Sequence, residues 1–406
     1  MNRIFLFMFF LAFMSCKKNE TPLVTIQEDV AFLAKDELEG RETGTENEVK
    51  AATYIKERME SIGLLPMGLD GTYYQTFTFK PKKGPHDEVQ FVENGDSILS
   101  GRNVIGYVDN KAENTIIIGA HFDHLGMGGE GSLYVGEDIH NGADDNASGV
   151  GVLLKLAEKL KDTLNGNNYL FMAFSGEEMG LLGSNYFAKN PTIDLSKANC
   201  MINMDMVGRL REDKTLSVSG TGTAPIWNQV LNSVNPGFKL VLKESGIGPS
   251  DHTSFYLQDI PVLHFFTGQH EDYHKPSDDF DKLNYEGMEM ISGYIVSTIG
   301  ELDGKEKLQF RKTKNESEET PRFKVGLGVM PDYLFDGKGM RIDGVSEDRP
   351  AFKAGLLKGD VVVKLGDSTV TDMMSYMRAL SVFKEGDSAD VTVNRDGESI
   401  VKKIDF

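Results

Sequence analysis

The sequence predicts an α/β protein, a mainly parallel mixed sheet with helices on both faces, followed by a small β-rich domain. Three observations carry that expectation. Near-continuous apolar runs, TIIIGA, NYLFMAF and CMINM, alternate with helical patterns such as SGVGVLLKLAEKL, as strands covered on both faces by crossover helices require. A highly charged stretch poor in apolar residues, 303–321, reads as a solvated linker. Beyond it, FKVGLGVM, GMRIDGV, DVVVKLGD and ADVTVNRDG are short strand patterns separated by turn residues, with DMMSYMRAL as a short helix.

Taken in chain order, the first segment is MNRIFLFMFFLAFMSCKKNE. Its apolar run follows Arg3 and is too short to span a bilayer, so it reads as an export signal outside the fold. The Ser-Cys-Lys-Lys junction resembles a bacterial lipoprotein signal spanning 1–16, which implies that Cys16 is lipidated. The mature chain would then be an exported, membrane-anchored lipoprotein of the bacterial cell envelope, on its periplasmic or surface face. An ordinary secretory signal is the alternative. Next, TENEVKAATYIKERMESIGL offers Thr45 as N-cap with Glu48 three residues on, a capping box. Val49, Ala52, Ile55, Met59 and Ile62 follow at helical spacing, and Gly63 supplies the stop. YYQTFTF and NVIGYV are β-like runs. The alternation then begins: TIIIGA leads to His121, NYLFMAF to Glu177 and Glu178, and CMINM to Asp205, with PVLHFF a later buried strand and YEGMEMISGYIVSTIGEL a closing helix.

Composition narrows the function. The 406 residues are 40% hydrophobic and 26% charged, enough for a large core and a second domain. A formal charge of -19 argues against nucleic acid, whose phosphates need clustered Lys and Arg. Of the two cysteines, Cys200 sits on an apolar strand pattern and reads as a buried small hydrophobe, so disulfides are not a structural device.

In such sheets ligands collect beyond the carboxyl ends of the strands, and the chemistry-bearing residues fall there. Strand ends present His121 and Asp123, Asp144 and Asp145, Glu177 and Glu178, and Asp205, while a later loop presents His274. Singly each is unremarkable: His86, His140 and His270 read as surface or satisfied core histidines, and Asp278 with Asp279 as ordinary surface acids. Together, acids and two histidines on one sheet edge need a cation. Carboxylate and imidazole donors without thiolate suit zinc, with manganese or cobalt next.

HFDHLG, GADDNASGV, FSGEEMGLLGS, NMDMVG and YHKPSDDFDKL, in that order, resemble the co-catalytic two-zinc aminopeptidases. That group includes bacterial leucyl aminopeptidase and, more distantly, glutaminyl cyclase and glutamate carboxypeptidase. The upstream LEGRETGTENEVKAATYIKERMESIGL is similar too, so the resemblance spans 24–302 as the catalytic domain. It implies two zinc ions bridged by Asp145, the acid before Asn-Ala-Ser-Gly, rather than by Asp144. His121 and Asp205 would complete one site, Glu178 and His274 the other. Asp123 would orient the His121 imidazole, Glu177 would be general base, and Tyr273 would donate its hydroxyl to the oxyanion. GPSDHTSF resembles a segment near the family's substrate pocket, so Ser250, Asp251 and His252 are expected to line it. The expected activity is release of N-terminal residues from peptides with a free N-terminus.

The second unit, 322–406, resembles a PDZ domain of the bacterial arrangement through VGLGVM and DRPAFKAGLLKGDVVVKLGDSTV. The resemblance implies that Gly326, Leu327, Gly328 and Val329 form a nest for a peptide's terminal carboxylate, with the peptide adding as a strand. The alternatives are glutaminyl cyclisation on the same fold with one zinc, carboxypeptidase action on acidic peptides, and an inactive peptide-binding scaffold.

Overall fold

The strands β1 (Leu65–Pro66), β2 (Tyr74–Lys80), β3 (Gln90–Phe91), β4 (Leu99–Val108) and β5 (Thr115–His121) open one sheet. It is completed by β6 (Asn168–Phe174), β7 (Ala198–Met204), β8 (Thr215–Ser219), β9 (Lys239–Lys243) and β10 (Val262–Phe266). In the computed structural model, which describes residues 24–81, 90–92, 98–129, 131–314, 325–332, 334–335, 337–346 and 348–406, the order is β3-β2-β4-β6-β5-β7-β10-β8-β9, with β1 on β4. The export-signal reading with Cys16, and His86, lie outside these residues. The centre, β6-β5-β7-β10, is parallel, while β4 and β2 join antiparallel and β8 returns antiparallel to β10. The sheet is therefore mixed, as expected.

Every residue of β5, β6 and β7 is buried, which explains why these segments read as unbroken apolar runs. Alternate residues feed two cores. Ile116, Ile118, Phe171 and Ile202 pack with Ala51 and Ile55 of α2 (Glu46–Ile62), Leu153 of α3 (Gly149–Leu160) and Ile295 of α7 (Tyr285–Gly300). Ile117, Leu170, Met172 and Met201 pack on the other face with Phe187 of α4 (Leu182–Lys189) and Phe255 of α6 (His252–Tyr256). Cys200 is buried and free, as read.

Two further helices, α1 (Ile26–Leu33) and α5 (Trp227–Ser233), escaped the sequence reading. A signal for α1 was present: Thr25 and Glu28 close a capping box. The box expected at Thr45 closes on one side only. Thr45 accepts the Glu48 amide, but the Glu48 carboxylate turns inward to Ser175 Oγ at 2.9 Å and Arg102 Nε at 3.3 Å. Gly63 ends α2 at φ 93, as its lack of Cβ permits.

The expected linker is mostly exposed along its described part, 303–314, as read, but it is docked at a few points. Leu308 N–H donates to Asn199 Oδ1, Arg311 N–H to the Thr223 carbonyl, and Phe310 packs its ring on Tyr256. Two apolar side chains within the charged run suffice to hold it against the sheet domain.

The remaining strands, β11 (Val329–Pro331), β12 (Met340–Val345), β13 (Val361–Leu365), β14 (Ser368–Thr369), β15 (Ser388–Arg395) and β16 (Glu398–Asp405), form a separate sheet. With α8 (Pro350–Lys353) and α9 (Met373–Leu380) they enclose their own core around Leu327, Ile342, Val362, Val391 and Ile404. Residues Gly326, Leu327 and Gly328 lead into β11 at Val329. The Leu327 and Gly328 carbonyls accept from Ala351 and Ser346, and Gly328, at φ 73, leaves no room for a Cβ beside Arg349. The two units touch where Arg211 meets Asp343 at 3.4 Å and Leu334 lies over Gly268.

Candidate metal centre

His121 is the last residue of β5 and pairs in register with Phe174, the last of β6, so Glu177 and Glu178 begin one turn beyond it. Asp205 follows β7 in the same way. Asp145 comes from the irregular turn that opens α3, and His274 from the loop before α7. These five segments bring the expected ligands together. Asp145 lies between the two imidazoles, its Oδ1 3.3 Å from His121 Nε2 and its Oδ2 3.2 Å from His274 Nε2. Asp205 Oδ1 is 3.5 Å from His121 Nε2, and Glu178 Oε2 is 3.5 Å from His274 Nε2.

Backbone carbonyls fix both rings. His121 Nδ1 bonds the Asp123 carbonyl at 3.2 Å and His274 Nδ1 the Gly131 carbonyl at 2.8 Å. A proton on each Nδ1 leaves each Nε2 as a lone-pair donor facing Asp145. Asp123 does more than expected. Its carboxylate stands 3.7 Å from His121 Nδ1, and it also accepts the amides of Glu177 at 3.1 Å and Glu178 at 3.4 Å. It therefore positions the two glutamates as well as facing the imidazole. Asp144 points away from the cluster: its Oδ1 takes the Gly208 amide at 2.6 Å and its Oδ2 lies 3.2 Å from His270.

Electrostatics describe a site that holds negative charge at a cost. Burial raises Glu177 well above the ordinary carboxylate range, opposed by His121 and reinforced by Glu178 and Asp205. Burial also pushes His121 down, but Glu177, Asp123, Asp145 and Asp205 outweigh it and lift the imidazole well above its usual value. His274 rises to about 9 because Glu178 and Asp145 overcome its burial. Acids crowded around two imidazoles in this way are what a cation-binding site requires. Two ligand groups, His121-Glu177-Asp205 and His124-Asp145-Glu178, each have donor atoms within 4.8 Å of one another. The donor set is oxygen and imidazole nitrogen, so the residues fit zinc.

Several residues were not anticipated. His124, within the quoted HFDH, is buried with Nδ1 2.8 Å from Glu178 Oε1; its spacing from His121 was the available signal. Arg41 is fully buried and donates to the carbonyls of Phe122, Leu33, Asn141 and Gly142, tying the loops on either side of the site. Asp278 is no surface acid: it is 0% exposed, and its Oδ2 accepts the Asp144 and Asp145 amides at 2.9 and 3.1 Å. Asp279 accepts from Asn141 at 3.0 Å. No local pattern distinguishes Arg41 or Asp278 from solvated charges. His140 is a satisfied core histidine as read, bonded to Ser132 and the Asp138 carbonyl.

A cleft of about 180 Å³ opens beside the ligands, lined by Asp145, Glu177, Glu178, Asp205, Tyr273 and His274 at one end. Tyr273 stacks on His274 with ring centroids 3.7 Å apart. Burial and the surrounding carboxylates hold its hydroxyl well above the ordinary phenol value, so it stays a donor. Of the expected pocket residues, only His252 lines the cleft. Ser250 and Asp251 are buried beneath it, Ser250 Oγ accepting from Asn203 at 2.8 Å. Burial raises Asp251 to about 7.

Residues 103–299, which carry all five expected ligands, match the model of peptidase family M28. This stretch is similar to peptidase family M28. Residues 308–404 match the PDZ domain model. Among curated relatives of this chain, the alkaline phosphatase isozyme conversion protein of Escherichia coli K12 is 32% identical over 186 residues, 45% of this chain and 51% of that one. Aminopeptidase YwaD of Bacillus subtilis 168 is 26% identical over 222 residues, 51% of this chain and 46% of that one. The matches thus span about half the length of these relatives. Among solved structures, the zinc aminopeptidase BSAP from Bacillus subtilis aligns over 70% of this chain and 97% of its own at 17% identity, TM-score 0.53. Porphyromonas gingivalis glutaminyl cyclase aligns over 68% and 97% at 19% identity, TM-score 0.54. Both likenesses are of fold.

Proposed function

We propose that this chain is a zinc-dependent aminopeptidase holding two ions. His121, Asp205 and one oxygen of Asp145 would hold one, and His274, Glu178 and the other oxygen of Asp145 the second. The observation that carries the reading is the Asp145 carboxylate, with one oxygen 3.3 Å from His121 Nε2 and the other 3.2 Å from His274 Nε2. Bound there, zinc supplies Lewis-acid activation of water and polarisation of the scissile carbonyl. Glu177 takes the proton of the attacking water and returns it to the departing amine nitrogen as the C–N bond breaks. Its raised pKa suits a base that must hold that proton in transit. Tyr273, kept protonated, donates to the carbonyl oxygen as it gains charge.

The remaining assignments belong to the same proposal. A peptide C-terminus adds to β11 with its carboxylate on Gly326, Leu327, Gly328 and Val329, and the chain is exported and anchored through Cys16. The test is hydrolysis of aminoacyl fluorogenic amides by the zinc-loaded chain. Glu177→Gln should lower kcat by roughly 10²–10⁴ at unchanged zinc content; retained activity would defeat the assignment. Glutaminyl cyclisation is the second reading, favoured by the polar far wall of the cleft, where Ser217, Ser219 and Gln269 lie. Pyroglutamyl product and one zinc per chain would select it.

A further inference from the structure

The two ligand histidines are held in different ways. His121 closes a strand buried throughout, and its Nδ1 meets a carbonyl only two residues on, that of Asp123. His274 has no such frame. It lies in the irregular chain between β10 and α7, and its φ of 54 falls in the left-handed region that a residue with a Cβ seldom adopts. Such a conformation persists where the surroundings hold it.

Here the hold comes from the tip of a loop far earlier in the chain, and it has two points. The Gly131 carbonyl accepts from His274 Nδ1 at 2.8 Å, and the Leu133 N–H donates to the His274 carbonyl at 2.9 Å. One contact sets the ring and the other the backbone. Backbone pairs close the loop at its base, His140 N–H donating to the Gly126 carbonyl at 2.8 Å and Asp138 N–H to the Met127 carbonyl at 3.2 Å. A side-chain pair ties tip to base, with Ser132 Oγ 2.8 Å from His140 Nε2. His140 Nδ1 faces the Asp138 carbonyl at 2.9 Å, which can only accept, so that nitrogen carries the proton. Burial holds the ring below the ordinary histidine value and hence neutral. Nε2 is then a lone pair to which the Ser132 hydroxyl donates, while the Tyr134 amide donates to Ser132 Oγ at 3.0 Å. Every polar atom of the pair is engaged, and His140 is 0% exposed.

We infer that Ser132 and His140 are positioning residues for the second ion site: by fixing the loop tip they fix His274, and with it the imidazole nitrogen that faces Asp145 and Glu178. The inference rests on the two-ion reading above. An outer partner that orients a ligating imidazole sets how well it binds, because a ring free to turn must be ordered at the moment the ion arrives. His121 and Asp205 stand on strand ends, so loss of the tie should reach one site and spare the other.

The experiment titrates zinc into the metal-free full chain by calorimetry and compares the two zinc-edge anomalous peaks, for the parent, Ser132→Ala, Ser132→Thr and His140→Phe. Ser132→Ala and His140→Phe should weaken the ion beside His274 about tenfold and leave the ion beside His121 unchanged, while Ser132→Thr, which keeps the hydroxyl, should bind as the parent does. If His140→Phe does not fold, the two serine variants decide alone. Constants unchanged at both sites, equal losses at both, or a threonine variant as weak as the alanine one would overturn the inference. A parent that takes up fewer than two ions would sink the two-ion reading instead. The grip is then read without metal: hydrogen exchange at the Leu133 amide should quicken about tenfold in Ser132→Ala and not in Ser132→Thr, and equal rates in parent and variants would remove the inference too.

Discussion

The division of labour between adjacent residues at this centre depends on two residues beside the proposed ligands, His124 and Asp123. His124 holds Glu178 Oε1 at 2.8 Å and Asp123 takes the amides of both glutamates. Exchanging His124 for Phe removes the side-chain partner of Glu178, and zinc affinity measured by chelator competition should fall roughly 10–100-fold; an unchanged constant would show that Glu178 needs no such support. Glu48 offers a different test, because burial raises it to about 7 from the ordinary 4.5 against the opposing charge of Arg102. Between those values the folded chain keeps a proton that the unfolded chain has lost, so stability falls as pH climbs through that window. Glu48→Gln abolishes the loss, and the melting temperature of the variant relative to the parent should rise across it. A difference flat with pH would contradict the assignment. At this scale the sequence was legible where a motif kept a residue in view, as with His121, Asp145, Glu178, Asp205 and His274. Arg41 and Asp278 were illegible because their partners are backbone groups far along the chain, a relation no spacing records.

Among the elements, the strongest demands fall on the turn that delivers Asp145. Gly142 adopts φ 55, and a Cβ there would sit 2.2 Å from the Asp145 carbonyl oxygen and 2.4 Å from the His124 ring. Gly142→Ala should therefore lower stability by more than about 1 kcal/mol in urea titration, and weaken metal binding with it; an unshifted midpoint would mean the turn adapts. The buried strands β5, β6 and β7 were readable because burial on both faces erases alternation and leaves plain apolar runs. The partial capping box at Thr45 was readable only in part, since tertiary contacts to Ser175 and Arg102 drew the Glu48 side chain away. A local rule yielded to a long-range pair. The early stretch of the charged linker is exposed at most positions as read, but composition describes the average residue and gave no sign that Leu308 and Phe310 dock it.

For the molecule as a whole, fold and site meet at the carboxyl ends of the central parallel strands, where the sheet's covered faces end and a cleft begins. The PDZ unit contributes its own core and a contact through Arg211 and Asp343, and none of the metal ligands. Everything proposed about chemistry therefore depends on one arrangement, a carboxylate shared between two cation sites. Anomalous diffraction at the zinc edge, on crystals of the zinc-loaded chain, tests it most directly. Two peaks flanking the Asp145 carboxylate, one against His121 and Asp205 and the other against Glu178 and His274, are the expected result; a single peak, or peaks remote from Asp145, would contradict it.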